Sequence, residues 1–453
     1  MGLHVARLFG VFAIFGWAIT TPPALAEPTT DQPWVPLAPI PEPLGLEGHC
    51  TSLIGNMVYT AFGNSGGVYA PTGLESGDTN RLRIYDLATN TWTFGPPAPT
   101  AGRAEHYRGM AKGGRLFCLG GRSTNETWSF EPATLTWTPK GPFPDSSRVG
   151  TSAATFGNSI FVFGGREGTA PCSTSGTTRV LRYDVDKDMW FPAGSMVEAR
   201  SDTTVARVGG FIYIFGGCNG STFSETTEKY DPRTGTSTIV NATMPGGPRA
   251  NAAAGDPQNG SSANAAHRIH VTGGWSGTAS PNTTPPVAMN HIIYDVDENT
   301  FLVGTPMPTH CPDPQSNRAE HELVHGKDKI IALGGACPGF GQSRNEVDMQ
   351  SLSGDPPTQN ASITAYSCNA QTFPACDLQP LGASGVFVTG TGFAPLATVQ
   401  FTNSLQEPVA PLITDVQGEL TGVYVDTLCN GQPRTLTAVD GAGNSAAVTF
   451  TCP

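Results

Sequence analysis

A short motif recurs along this chain and restricts the folds that it can adopt. In its clearest copy an apolar run, 159–163, ends in the paired glycines Gly164 and Gly165, and Tyr183 with a following acid and Trp190 come later. Glycine pairs recur at 120–121, 216–217, 273–274 and 334–335. Aromatic–acidic pairs recur at 85–86, 130–131, 230–231 and 294–295. A bulky aromatic follows seven positions after the first residue of each of these pairs, except that Ser237 takes its place in the 230–231 copy.

The spacing of these motifs predicts an all-β fold built from small sheets. Repeats of about 45 to 60 residues, each folding as one four-stranded sheet, are typical of β-propellers. Six apolar second strands predict six blades over residues 34–352, and they contain Met57, Leu116, Ile160, Ile212, Ile269 and Ile330. The last repeat lacks a fourth strand, so we expect the segment around Trp34 to complete it and close the ring.

The composition is that of a turn-rich β protein, and its charge argues against polyanionic partners. Only 14% of the 453 residues are charged, whereas glycine (55) and proline (39) are abundant. The formal net charge of -12 argues against nucleic acid or an anionic membrane as a partner.

Residues 1–26 have the pattern of a cleavable signal peptide. Arg7 precedes the apolar run 8–19, and Ala24-Leu25-Ala26 is a small-x-small cleavage site. This run is too short to span a bilayer and no later run is long enough, so we expect no membrane insertion. The prediction is a secreted or periplasmic protein, cleaved near Ala26.

The ten cysteines are an even number, which in an exported chain favours disulfides. Cys172 and Cys218 follow glycine pairs of neighbouring repeats and form one candidate pair; Cys311 and Cys337 form another. The candidates in the last domain are Cys368 with Cys376 and Cys429 with Cys452. Cys50 and Cys118 are left over, and the sequence alone does not fix the connectivity.

The region from Trp34 to about Leu352 resembles kelch-repeat β-propellers. The resemblance rests on the glycine pairs, on the run from Tyr183-Asp184 to Trp190, and on the arginine that precedes the first strand of a repeat. It departs from that pattern at Phe62-Gly63-Asn64 and at Ser237. The resemblance implies a ligand site in the loops around the ring axis, but no particular activity.

Residues 353–361 predict a linker, and residues 362–453 a second domain. The linker holds two prolines, and the strands that follow are short and alternating. The segments 390–395 and 438–444 resemble bacterial-type immunoglobulin-like sandwiches, which are often appended to secreted enzymes and surface proteins.

Histidines and glutamates recur where the first strand of a repeat begins, at the mouth of the ring. Arg103-Ala-Glu105-His106 and Arg318-Ala-Glu320-His321 are identical in sequence, and His49 takes the corresponding place in the first repeat. Three imidazoles could bind one transition metal and leave one of its coordination positions open. The alternative is that each histidine bonds within its own blade.

Arginines recur at the same level and predict an anion-binding mouth. Guanidinium groups suit carboxylates and other anions. The alternative is that each arginine bonds carbonyls of its own blade and the acid after the third-strand aromatic. The arginines are Arg103, Arg148, Arg200, Arg249 and Arg318.

Two enzyme families on this architecture offer alternatives. Galactose-oxidase-like copper enzymes have a similar layout, but they use a Tyr-His pair that this sequence lacks, and they have seven blades. A sialic-acid mutarotase is a six-bladed exported kelch protein; the resemblance would make Glu105 or Glu320 the acid–base group beside Arg103 or Arg318.

The prediction from sequence is therefore an exported kelch protein that binds a glycan or an extracellular protein at the propeller mouth. Glycan binding would use exposed aromatics, for which Tyr107, Trp275 and Phe340 are candidates. The alternative is a carbohydrate-active enzyme that uses the His/Glu/Arg cluster.

Overall fold

The fold is almost entirely β-structure. The computed structural model describes residues 32–66, 77–100, 108–121, 124–145, 148–167, 172–241, 243–255, 268–275, 286–313, 316–326, 329–337, 342–352, 362–368, 385–391, 398–403, 408–413, 420–425, 433–440 and 445–451. One short 3-10 helix, Val287–Met289, is the helical element within these ranges.

Thirty strands lie between residues 34 and 351 of the described chain. They are β1 (Trp34–Leu37), β2 (Cys50–Ile54), β3 (Met57–Ala61), β4 (Asn64–Ser65), β5 (Gly77–Asp78), β6 (Leu82–Asp86), β7 (Thr91–Gly95), β8 (Arg108–Lys112), β9 (Arg115–Leu119), β10 (Thr127–Glu131), β11 (Thr136–Lys140), β12 (Val149–Phe156), β13 (Ser159–Arg166), β14 (Thr177–Asp184), β15 (Met189–Arg200), β16 (Thr204–Val208), β17 (Phe211–Phe215), β18 (Cys218–Asn219), β19 (Thr222–Phe223), β20 (Thr227–Asp231), β21 (Thr236–Asn241), β22 (Ala253–Gly255), β23 (Arg268–Thr272), β24 (His291–Asp295), β25 (Thr300–Val303), β26 (Glu322–His325), β27 (Lys329–Leu333), β28 (Ala336–Cys337), β29 (Gln342–Ser343) and β30 (Val347–Ser351).

Twenty-four of these strands form six antiparallel four-stranded sheets. In chain order they are sheet 1 (β2-β3-β6-β7), sheet 2 (β8-β9-β10-β11), sheet 3 (β12-β13-β14-β15), sheet 4 (β16-β17-β20-β21), sheet 5 (β22-β23-β24-β25) and sheet 6 (β26-β27-β30-β1). The N-terminal strand β1 supplies the outer strand of sheet 6, where Trp34 pairs with Gln350 and Leu37 with Val347.

The first strands of the six sheets form a closed ring. Each contacts the first strand of the next sheet, and β26 of sheet 6 contacts β2 of sheet 1. A buried apolar cluster lies between every two neighbouring sheets, such as that of Phe163 with Ile214 and that of Leu53 with Ile331. Burial of these faces supplies the main driving force for assembling the sheets.

Each of three recurring tryptophans ties its own sheet to the preceding one. The indole N–H of Trp92 donates to Ala38 O (2.9 Å), that of Trp137 to Pro96 O (2.9 Å) and that of Trp190 to Gly141 O (3.0 Å). Each indole also contacts the aromatic of its own repeat, with Tyr183 and Trp190 centroids 5.1 Å apart. The motif therefore encodes contacts between sheets as well as strands.

Three disulfides join parts of this ring. Cys172 bonds Cys218 and Cys311 bonds Cys337, the two pairings suggested by the loop positions. Cys50 and Cys118, which the sequence leaves unassigned, bond each other and join β2 to β9 in neighbouring sheets. The predicted pairs in the last domain involve Cys376, Cys429 and Cys452, which lie outside the described residues, as does the side chain of Cys368.

The C-terminal region consists of two sheets with a shared core. Its strands are β31 (Ser362–Cys368), β32 (Gly385–Thr391), β33 (Thr398–Asn403), β34 (Pro408–Ile413), β35 (Leu420–Val425), β36 (Pro433–Asp440) and β37 (Ser445–Thr451). The sheets are ordered β31-β32-β35 and β34-β33-β36-β37. Val388 and Leu420 of the first sheet pack with Phe401 and Leu436 of the second. Its immunoglobulin-like classification stays a prediction.

Glycine at the first position of four of the five pairs, at 164, 216, 273 and 334, is required by a contact between sheets. We expect Gly216→Ala to lower the free energy of unfolding by about 3 kcal/mol, because a Cβ there would lie 2.2 Å from Arg249 O and φ is +59°. Gly209→Ala is the matched control, with a φ of +55° but nothing within 4 Å, and should cost about 1 kcal/mol. Denaturant unfolding measures both, and equal losses would show that the contact does not matter.

Candidate functional site: the loop face and the central channel

Long connections gather on one side of the ring, which we call the loop face. In each antiparallel sheet the first strand begins at the edge where the second and fourth strands end. The connection 216–226 and the described ends of the connections 62–81 and 167–176 therefore lie on the same side as the segments that lead into the first strands. Turns on the opposite side are two or four residues long wherever they are fully described, as at Gly55-Asn56.

The loops of sheets 3, 4 and 5 are braced together on this face. The disulfide from Cys172 to Cys218 joins two of them, and Phe223 contacts Trp275 edge-on with centroids 5.4 Å apart. These four side chains and Ala250 form one apolar cluster. The ribbon of β18 and β19 holds Phe223 in place. These contacts therefore hold this part of the loop face in a fixed arrangement.

A series of backbone hydrogen bonds, the mouth ring, runs around the axis where the first strands of sheets 3, 4, 5, 6 and 1 begin. Asp202 N–H donates to Gly150 O (2.7 Å), Asn251 N–H to Asp202 O (2.8 Å) and Glu320 N–H to Asn251 O (3.0 Å), and Gly48 N–H continues to Glu320 O (3.5 Å). All five residues have a φ between +52° and +66°. Position 105 corresponds to them in sheet 2 and lies outside the described residues.

The two described candidate metal ligands are buried in the walls of the ring. His49 Nδ1 shares a hydrogen bond with Thr51 Oγ1 (2.5 Å), and its ring faces Gly334 of the neighbouring sheet. Burial, aided by the charge of Arg83, lowers the pKa of His49 to about 3. His321 is arranged likewise: it bonds Thr272 Oγ1 (2.8 Å), faces Gly273, and burial holds its pKa well below the ordinary value.

These neutral imidazoles do not converge with a third donor within the described residues. The one group of three whose ligand atoms lie within 4.8 Å of one another there is Cys172, Asp202 and Cys218, and both of those sulfurs belong to a disulfide. His106, the third predicted ligand, lies outside the described residues. A transition-metal site therefore stays a prediction that depends on His106, and no chemistry is assigned to it.

The described arginines of the mouth reach into their own sheets. Arg200 bonds Gly216 O (2.8 Å) and pairs with Glu228 (2.9 Å), and Arg318 pairs with Asp348 (3.1 Å). The acidic partner in sheet 4 is Glu228, two residues before the aromatic, whereas the sequence favoured the acid that follows it, Asp231. That position pairs with Arg233 instead.

The two remaining arginines are placed similarly. Arg249 donates to Pro245 O (2.6 Å) and Met289 O (3.2 Å), and Arg148 pairs with Asp145 (2.7 Å) and donates to Gly164 O (3.2 Å). Burial lowers the pKa of Arg249 to about 10, so it stays protonated at neutral pH. A ligand-binding role for these arginines stays a prediction.

Of the two candidate acid–base glutamates, only Glu320 is described. It is half-buried at the mouth ring, and its Oε1 accepts a hydrogen bond from Asn251 Nδ2 (3.3 Å). Glu105, Arg103, Tyr107 and Phe340 lie outside the described residues. The catalytic candidates therefore stay predictions.

Behind the mouth ring, the six first strands surround a channel with a cavity of about 140 Å³. Its wall consists largely of alanine, glycine, serine, threonine and valine, as in the segments 152–155 and 203–206. Arg108 on sheet 2 and Glu322 on sheet 6 meet in it, with Nη1 and Oε1 3.1 Å apart. The Arg108 Nε–H also donates to Thr151 O of sheet 3. One guanidinium thus connects three sheets.

Burial changes the chemistry of Glu322. It raises the pKa of this carboxyl from 4.5 to about 7, although the charge of Arg108 opposes the rise. A carboxyl that exchanges its proton near neutral pH inside a cavity is typical of functional sites. The sequence did not single out Arg108 or Glu322. The signal available was a charged residue in first strands that are otherwise lined by small side chains.

Comparisons with known proteins agree with this architecture. Residues 147–197 and 199–242 match the family described as "Kelch motif". The chain contains kelch repeats.

The relatives of these repeats share only part of their length with the chain. Kelch-like protein 25 of Xenopus tropicalis is 26% identical over 211 residues, which is 45% of this chain and 34% of that protein. Kelch domain-containing protein 3 of Homo sapiens is 30% identical over 142 residues, or 28% and 35% of the two chains. The kelch repeats thus match about a third of each relative.

A solved structure shows the same fold. The one described as "Structure of YjhT" matches with a TM-score of 0.53 at 14% identity, and the match covers 68% of this chain and 95% of that one. At this identity the likeness concerns the fold alone. Within the described residues, no helix has the length and apolar character needed to cross a membrane.

The raised pKa of Glu322 predicts a stability effect with a definite sign. Folded chains bind this proton more tightly than unfolded ones, so wild-type stability falls as pH rises from about 4.5 to about 7. Glu322→Gln removes this loss. We expect the melting temperature of the variant, relative to wild type, to be higher at pH 8 than at pH 5.

Glu131→Gln is the control for this experiment. Arg115 holds the pKa of Glu131 below its ordinary value, so Glu131 is ionised at both pH values. Its effect on the melting temperature should be the same at pH 5 and pH 8. An equally constant effect of Glu322→Gln would contradict a raised pKa.

Proposed function

We propose that this chain is an exported six-bladed kelch propeller whose loop face binds an extracellular protein or a glycan. In this proposal residues 1–26 are the signal peptide and the C-terminal sandwich is an immunoglobulin-like accessory module. The braced loops of sheets 3, 4 and 5 carry the argument, because closing the ring does not require them and binding residues concentrate on loops held by a rigid scaffold.

The disulfides support the exported location. Three cysteine pairs are bonded among the described residues, and such bonds persist in oxidising compartments. Burial of the cluster around Cys218 also limits how far these loops can rearrange. A surface fixed in advance loses less conformational entropy when a partner binds.

The small channel favours binding on the loop face over binding of a sugar chain inside the ring. Pockets for drug-sized ligands usually enclose about 300 to 1,000 Å³, and the channel cavity is about 140 Å³. Among the aromatic candidates for sugar stacking, Trp275 is described and is half-buried against Phe223. An extracellular protein is therefore the partner that we put first.

The carbohydrate-active enzyme is the second candidate. It depends on Glu105, Arg103 and His106, which lie outside the described residues, acting together with Glu320 at the mouth. Alanine substitution of His49, His106 and His321 separates the two functions. An enzyme with a metal at the mouth would lose activity and bound metal, whereas binding on the braced loops would remain.

A pair of opposed variants tests the proposed face. Ser175→Arg with Thr222→Arg places bulky charges on exposed positions of the braced loops, and Thr89→Arg with Thr134→Arg does the same on the opposite side. The mature protein should be screened against extracellular-protein and glycan arrays. We expect the first double variant to lose at least tenfold in affinity for the partner found and the second to bind like wild type. Equal binding by both variants would place the site elsewhere.

A further inference from the structure

The channel contains an ion pair that belongs to no single sheet. Arg108 and Glu322 are the first residues of β8 and β26, which lie on either side of β2 in the ring. Their side chains are 20% and 19% exposed, whereas the sheet-internal arginine Arg318 is 0% exposed. The pair therefore faces the cavity, and separating it breaks no sheet.

The cavity is the right size for a small molecule. One water needs roughly 10 to 15 Å³ of such space, so a cavity of about 140 Å³ has room for a ligand of a few heavy atoms with some of its water. Large sugars and peptides do not fit within it. Whatever binds between these strands is therefore small.

The charges lining the cavity favour an anion. Among the described residues, the titratable ones that line it are Arg108 on β8, Arg207 on β16, and His321, Glu322 and His325 on β26. No titratable residue of β2, β12 or β22 lines it. Burial keeps His321 neutral, and His325 packs against Gly255 of β22. Arg108 is the guanidinium whose ion pair lies in the cavity, so an anion that enters would meet a cationic partner there.

We propose that the channel binds a small carboxylate anion, which takes the place of Glu322 as the partner of Arg108 while Glu322 takes up one proton. A guanidinium pairs well with a carboxylate because its N–H groups match the two oxygens. The exchange leaves the charge of the cavity unchanged, since one carboxylate enters and another is neutralised. Protonated Glu322 can then donate its O–H to the bound carboxylate.

The proton uptake should occur near neutral pH. Burial raises the pKa of Glu322 to about 7 even beside Arg108. If only the protonated form accepts the ligand, the competent fraction is about 0.9 at pH 6 and about 0.1 at pH 8. The apparent affinity for the anion should therefore fall about tenfold between these pH values.

The test uses trifluoroacetate, which stays ionised at both pH values and is followed by its ¹⁹F resonance. We expect the mature protein to broaden this resonance, with about tenfold tighter binding at pH 6 than at pH 8. Acetate should displace the probe. Mellitate, a benzene ring with six carboxylates, is too large for the cavity and should not.

Variants assign the binding to the channel. Glu322→Gln should bind equally at pH 6 and pH 8, as tightly as wild type at pH 6, because glutamine is neutral and can donate to the anion. Arg108→Gln should abolish binding. Arg115→Gln removes an exposed arginine that pairs with Glu131 outside the channel, and it should bind like wild type.

Three results would overturn the proposal. They are no binding of trifluoroacetate by wild type at pH 6, full binding by Arg108→Gln, and displacement of the probe by mellitate. The wild-type pH dependence and the acetate competition need no substitution, so the proposal can fail even if a variant does not fold. Near-ultraviolet circular dichroism checks that each variant has the native packing.

Discussion

The contact between a glycine and a backbone carbonyl of the next sheet sets the spacing on which the rest of the ring depends. A Cβ on Gly164, Gly216, Gly273 or Gly334 would lie 2.2 to 2.4 Å from the carbonyl oxygen of the residue four positions before the next first strand. In three of the four the following glycine also donates its N–H to that carbonyl, as Gly217 does to Arg249 O (2.8 Å). Because neighbouring backbones approach this closely, the mouth-ring residues two positions later can bond one another.

The close approach of neighbouring backbones also explains why the residues of the mouth look like a ligand site when only the sequence is considered. Chain segments this close to the axis need side chains that fill space and donate hydrogen bonds to buried backbone carbonyls. Arginine and histidine can do both. Arg318 reaches back to Asp348, and His321 bonds Thr272 of the neighbouring sheet. A recurrent arginine or histidine can therefore have a structural role in the repeat as readily as a ligand-binding role. Only the partners that its side chain contacts distinguish the two roles.

Much of the fold could be predicted from local pattern, whereas the channel could not. The pairing of Tyr183 with Trp190 and the turn of Gly164 and Gly165 depend on residues close in sequence, so they recur visibly in most of the repeats. The Arg108–Glu322 pair joins positions 214 residues apart. The sequence around Arg108 gives no indication that Glu322 is its partner, and the reverse is also true. The two residues become neighbours only when the ring has closed. The Cys50–Cys118 bond was left unassigned because neither cysteine follows a glycine pair, the position that suggested the Cys172–Cys218 bond.

The ionic groups of the ring differ in what they hold together. Arg83 pairs with Glu42 and Arg200 with Glu228 at buried positions, where removing one partner strands a charge away from water and would destabilise the ring. Arg108 and Glu322 have partial contact with solvent and join sheets that the apolar clusters already hold in place. Such a pair can exchange a partner without disturbing the scaffold. A rigid ring with one replaceable ion pair at its axis is therefore suited to bind a small anion independently of the larger surface that its loops present.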